Sequence, residues 1–180
     1  MYMLVLKPHD IAVLLKIVAG REHWTMFSLA RAIYLSPAEI HAALLRAEKA
    51  HLFDKTTKVV RTKGLEEFMF HGLQYVFFST KGEITRGMPT SIAAPPLVMK
   101  HFDEPEIPPV WPHPMGLKRG YALEPLYKRA PDAAAADSGF YELLALTDAL
   151  RESTSRVRNI AITEIKERLT AYDKYISMQK

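Results

Sequence analysis

Residues 25–61 read TMFSLARAIYLSPAEIHAALLRAEKAHLFDKTTKVVR, and this stretch decides the fold. Its middle, Ser36-Pro37-Ala38-Glu39, places a serine before a proline and a glutamate three residues after the serine. That is a capping box with proline at the first helical position, so a helix begins here. Ile40, Leu44 and Ala47 recur at helical spacing and form its inner stripe, which ends near Ala50. Upstream, Thr25 caps a shorter helix with Leu29, Ala32 and Ile33 inward. A turn at Tyr34 and Leu35 joins the two helices. Many such turns need a positive φ, so a tyrosine at that place is strained. Downstream, Leu52 to Arg61 has β-prone ends around a polar middle, the pattern of a hairpin, and Lys55 and Lys58 fall at its tip.

Working outward, Pro8 opens an earlier helix that carries Ile11, Leu14, Leu15 and Val18 and stops at Gly20. Thr62 caps a following helix with Leu65, Phe68 and Met69 inward, continuing through LEEFMFHGLQYVFFS. The order is helix, helix-turn-helix, basic hairpin, helix. This order, and LARAIYLSPAEIHAALLRAEKAHLF in particular, resembles the winged-helix DNA-binding domains of bacterial regulators, the MarR-like members most closely, over about residues 8–66. The resemblance implies an α+β fold: mainly α with a small β-wing.

On that reading the helix after Ser36 enters a major groove, and the hairpin lies along the sugar-phosphate backbone. The outward positions are Ala38, His41, Ala42, Leu45, Arg46 and Lys49. His41 and Arg46 are expected at base edges or phosphates, and Ala38 and Ala42 at thymine methyl groups. Ser28 and Ser36 are expected to hold phosphates near helix N-termini, and Lys55, Lys58 and Arg61 to grip phosphates from the hairpin. Charge agrees. Residues 1–66 hold ten Lys/Arg and six Asp/Glu, a balance of +4, while residues 67–180 hold fourteen of each. Basicity gathered in one part is the electrostatic footprint of a nucleic-acid binder.

The remainder is organised differently. Eight of the twelve prolines fall between Pro89 and Pro114, which argues against a regular helix or a central strand there. Trp111, Phe102, Ile92 and Val98 mark that stretch as ordered and packed, and Tyr121 to Leu123 reads as a short strand. A small helix is expected over Ala133 to Ala136, another after Ser138, and a last amphipathic helix from Ser155 to Ile176. Three segments follow: 1–78, a DNA-binding domain with its trailing helix; 79–130, a proline-rich connector; 131–180, a helical region for dimerisation or partner binding. The last helix and the aromatic stretch Phe68 to Phe78 are the candidates for a homodimer interface, as two half-sites require.

Other phrases, HGLQYVFF, TRGMPTSIAAPPL, PVWPHP, ALEPLY and YELLALTDALR, resemble a family of uncharacterised bacterial helix-turn-helix proteins over most of the chain. Some members are paired with nucleotidyltransferase-like toxins, so the resemblance implies an antitoxin-like role and a toxin-like partner protein. It brings no catalytic residue or ligand.

Several classes are excluded. With no cysteine there is no disulfide, thiol nucleophile or thiolate zinc site. No phosphate loop, dinucleotide fingerprint, nucleophile elbow or HExxH motif occurs, so no enzyme, cofactor or metal is expected. His101, Asp103, Glu104 and Glu106 form an acidic cluster without visible support, and His113 reads as a structural histidine. No apolar run spans a bilayer, and Met1 to Leu6 has no basic leader, so a cytoplasmic protein is expected. The leading expectation is a dimeric, sequence-specific regulator on double-stranded DNA. The alternative is a winged-helix module that binds a partner protein instead.

Overall fold

The computed structural model of the chain describes residues 5–20, 23–152 and 154–179. Residues 1–4 of the opening stretch discussed above lie outside them. The architecture is α+β, mostly helical, with one two-stranded and one three-stranded sheet. No helix among the described residues is long and apolar enough to cross a membrane.

Helix α1 (Pro8–Gly20) is the axis of the molecule. The stripe Ile11, Leu14, Leu15 and Val18 is buried as expected, but Ala12, Val13 and Ile17 are buried as well. A helix hydrophobic on all sides is covered on all sides. Helices α2 (Met26–Ile33) and α3 (Pro37–Lys49) pack on one flank, and α8 (Ser138–Glu152) and α9 (Ser155–Met178) on the other. The three expected segments therefore share one core running from Ile11 to Tyr172.

Both capping boxes form. The Thr25 hydroxyl accepts from Ser28 N–H at 3.1 Å, and the Ser36 hydroxyl accepts from Glu39 N–H at 3.2 Å. Tyr34 ends α2 in the left-handed conformation, φ 56°, with the Arg129 guanidinium 4.8 Å from its ring centre. The tyrosine thus bears the backbone strain, roughly 1–2 kcal/mol, and a cation–π contact offsets part of it.

The hairpin pairs β1 (Phe53–Asp54) with β2 (Val59–Val60). Asp54 Oδ1 accepts the N–H groups of Thr56 and Thr57 at 3.0 Å and so shapes the turn, which leaves Lys55 and Lys58 exposed. Val60 N–H donates to Tyr172 Oη at 3.1 Å and Thr62 Oγ1 to Asp173 at 2.8 Å, so α9 holds the base of the hairpin, and Thr62, expected as a helix cap, gives its hydroxyl to α9 as the first residue of the next helix instead. Helix α4 (Thr62–Glu67) runs through a π turn (Phe68–Gly72) into α5 (Leu73–Val76).

The proline-rich stretch corrects the expectation. It contributes strands to a closed three-stranded sheet of β3 (Lys81–Pro89), β4 (Pro109–Pro112) and β5 (Lys118–Leu123). Strand β4 lies antiparallel to β3 and parallel to β5. It tolerates proline because Pro109 and Pro112 are its two ends, where a missing N–H breaks no interior rung. Gly87 and Gly120 allow the close approach, since a Cβ on either would run into the backbone of Trp111 or Pro108. The expected short strand at Tyr121 to Leu123 is the end of β5. A 3₁₀ turn (Ser91–Ala93) and α6 (Leu97–Lys100) lie between β3 and β4, and α7 (Ala130–Ala136) precedes α8.

Asp148, buried in α8, ties this sheet to the helices. Its carboxylate accepts from Trp111 Nε1 at 2.6 Å, Thr90 Oγ1 at 2.7 Å and Arg151 Nη1 at 2.7 Å. Burial pushes its pKa up, opposed by the Arg151 charge and these hydrogen bonds. His113 also serves structure: its Nδ1 accepts from Met115 N–H and its Nε2 faces Asp132, both at 3.2 Å. The acidic cluster does not assemble. His101 turns to Glu164 at 2.8 Å and Glu104 to Lys118 at 2.8 Å. Among the described residues no group of three or more potential ligands is placed to hold a metal ion.

Candidate nucleic-acid interface

Helix α3 lays Ile40, Ala43, Leu44 and Ala47 against the core and turns Ala38, His41 and Lys49 to solvent, with Ala42 and Leu45 half-buried beside them. This matches the sequence-derived face at every position except one. Arg46 is buried, 8% exposed, and turned inward. Its Nε donates to Asp10 Oδ2 and its Nη2 to Asp10 Oδ1, each at 2.7 Å, while Nη2 also lies 3.2 Å from His9 Nε2. The Asp10 carboxylate holds the guanidinium charged, raising its pKa further. Arg46 is therefore no groove contact. It is half of a buried, bidentate ion pair between α3 and α1. Desolvation, set against the Asp10 charge, lowers the His9 pKa.

The two serines are also committed. Ser28 Oγ accepts from Thr25 N–H at 2.9 Å and donates to Thr25 O at 3.0 Å. At the N-terminus of α3 the anion already present is the chain's own Glu39, whose Oε2 accepts Ser36 N–H at 2.8 Å. That backbone hydrogen bond, with the Ser36 side chain, pulls the Glu39 pKa down. A phosphate at Ser36 would meet this carboxylate, so Ser36 acts as the cap of α3, while Ser28 closes the capping box that Thr25 begins.

On the hairpin, Lys55 and Lys58 are exposed. Arg61 is exposed too, but its Nη2 pairs with Asp54 Oδ2 at 3.2 Å. Lys58 sits at φ 55°, so backbone strain is held at a hairpin residue that faces the cleft described next.

The folded chain brings part of this set together. His41 and Leu45 from α3, with Lys55 and Lys58 from the hairpin, line one cleft of about 320 Å³. His23, Trp24, Thr25, Met26, Leu44 and Phe53 complete it. Lys49, Ala38, Ala42 and Arg61 lie outside the cleft lining. Trp24 and Phe53 meet at 6.1 Å between ring centres, tilted by 49°. His23, Trp24, Met26 and Phe53 were not singled out from the sequence. Phe53 carried only a strand signal, and the loop before Thr25 carried no periodic one.

No family model, no curated protein and no solved structure matches the chain.

The homodimer candidates fare differently. Val157, Ile165, Leu169 and Tyr172 of α9 are buried within their own chain, with Ala161 between them. At the end of α5, Tyr75, Val76 and Phe78 stay exposed.

Proposed function

We propose that the chain is a sequence-specific, double-stranded DNA-binding regulator of the winged-helix type, with α3 as the reading helix and the β1–β2 hairpin as the wing. One observation carries the reading: His41 and Leu45 on the outward side of α3 and Lys55 and Lys58 of the hairpin line one cleft. His41 and Lys49 supply polar contacts, Ala38 and Ala42 supply surfaces for thymine methyl groups, and Lys55 and Lys58 supply phosphate contacts. With Arg46 withdrawn, base reading rests on few side chains, and much of the affinity comes from the backbone. Two such chains, joined through the exposed aromatic end of α5, suit a two-fold operator. No catalytic step is part of this reading.

The experiment is binding to a panel of duplexes at several salt concentrations. Log affinity should fall with log salt by about 0.9 per phosphate neutralised, and Lys55→Ala with Lys58→Ala should lower that slope by about 1.8. Equal affinity for all duplexes removes the sequence-specific reading, and an unchanged slope in the double variant removes the wing assignment.

A second reading is a partner-binding module, with an antitoxin-like role as its specific form. Its motivation is the apolar character of the α3 face around Leu45, together with exposed Tyr75 and Phe78. Salt-resistant co-purification of one protein partner, with no mobility shift on DNA, favours it over the first.

A further inference from the structure

The cleft between α3 and the hairpin is lined by more than duplex contact calls for. Phosphates can reach its rim, where His23, His41, Lys55 and Lys58 stand exposed. The outer surface of a regular duplex carries no apolar group long enough to fill a floor made by Trp24, Met26, Leu44, Leu45 and Phe53. That floor is hydrophobic and aromatic, and the volume, about 320 Å³, lies at the lower end of the range for small-molecule sites. Among the described residues no aspartate or glutamate lines the cleft. Of the polar side chains that line it, the Thr25 hydroxyl is already taken by Ser28 N–H, which leaves two ammonium groups and two imidazoles, so the head group that complements them is an anion.

We propose that this cleft binds a small molecule with an apolar body and a single anionic head, a medium-chain carboxylate being its simplest form, and that the bound molecule excludes a duplex. The body lies against Trp24, Leu45 and Phe53, and the carboxylate sits between Lys55, Lys58 and His41. Exclusion follows because the same cations face both ligands. Binding stands on the cleft alone, whereas exclusion rests on the DNA-binding reading above.

The test titrates the full chain with octanoate, octan-1-ol and octylammonium, following tryptophan emission and, separately, heat. Trp24 lines the cleft, whereas Trp111 is buried against Asp148, so a saturable emission change reports the cleft. Octanoate should bind saturably, octanol more weakly, and octylammonium not at all. Lys55→Glu with Lys58→Glu should weaken octanoate by about tenfold or more, since two surface attractions become repulsions, while the thermal melt stays unchanged because both side chains are exposed. Leu45→Trp, which fills the cleft, should abolish binding of both octanoate and octanol. Absence of saturable binding, equal binding of the three probes, or indifference to charge reversal each overturns the ligand site. In a second arm, octanoate should release a bound duplex. Octanoate binding that leaves the duplex in place overturns exclusion alone. A chain that binds octanoate and no duplex removes the DNA-binding reading and leaves the ligand site standing.

Discussion

Replacing Arg46 with alanine separates a structural arginine from a DNA-reading one. The guanidinium makes two hydrogen bonds of 2.7 Å to a carboxylate that is fully buried. Asp10 also accepts Lys7 N–H at 2.8 Å and so caps α1. Arg46→Ala strands that carboxylate in the interior, and removing one partner of a buried pair costs about 3–5 kcal/mol. Against a total stability of roughly 5–15 kcal/mol, the loss is large. With a urea slope of about 2 kcal/mol per molar, the unfolding midpoint should drop by about 2 M. Asp10→Asn keeps an acceptor for Lys7 but removes the charge. The double variant Asp10→Asn/Arg46→Ala should therefore recover about 1–3 kcal/mol of that loss, within the usual range of coupling energies. Urea unfolding followed by circular dichroism reads all four corners of the cycle. Under folding conditions, Arg46→Met should leave the salt dependence of duplex binding unchanged. A loss below about 1 kcal/mol, or no recovery in the double variant, refutes the buried pair. A salt slope lower by about 0.9 shows instead that Arg46 reaches phosphate.

Two more predictions concern the rest of the chain. Burial pushes the Glu164 carboxyl up, but hydrogen bonds from His101 and Arg168, with the charges of Arg168 and Lys100, outweigh it and bring it from 4.5 to about 2. A carboxyl lowered in the folded state stabilises the protein fully above pH 4.5 and loses that contribution as pH falls through about 2. Solvent at Lys100 and His101 screens the network, so roughly 1–3 kcal/mol is at stake. Glu164→Gln lacks this acid limb, so the stability difference between wild type and variant should shrink as pH falls from 4.5 toward about 2; a difference independent of pH contradicts the network. On the outer face of the three-stranded sheet, Arg86 and Arg119 are direct cross-strand neighbours and both exposed. Like charges in register are unfavourable, so Arg119→Glu should stabilise by about 0.2–1 kcal/mol at low salt, less at high salt. A destabilised variant means the arginines meet a partner other than each other.

Legibility followed the range of the interactions. Thr25, Ser36, Pro37 and Glu39 act within three residues of themselves, and the two caps form where the sequence places them. Tyr34 was readable as a strained turn residue because helix-turn-helix spacing demands a positive φ near there. Arg46 was misread because a helical wheel centred on Ile40, Leu44 and Ala47 cannot show that α1 covers the adjacent side. A partial signal existed: Asp10, three residues after Lys7 at the start of an otherwise apolar helix, needs a cation once buried. The aromatic wall of the cleft had no such signal, since Trp24 and Phe53 lie 29 positions apart in the numbering and meet only in the folded chain.

The sequence alone determined the starts of the helices after Pro8, Thr25 and Ser36, the hairpin and the gathering of positive charge in residues 1–66. Each of these depends on propensity, capping or composition, which neighbouring residues settle among themselves. Tertiary structure alone decided that proline-rich chain closes into a three-stranded sheet, that the last helix serves its own core, and that Arg46 turns inward from α3. Those outcomes turn on pairings between residues a dozen to almost forty positions apart, Gly120 against Pro108, Asp148 against Trp111, Arg46 against Asp10. Their free energy comes from desolvation and close contact, and neither exists until the distant partner has arrived.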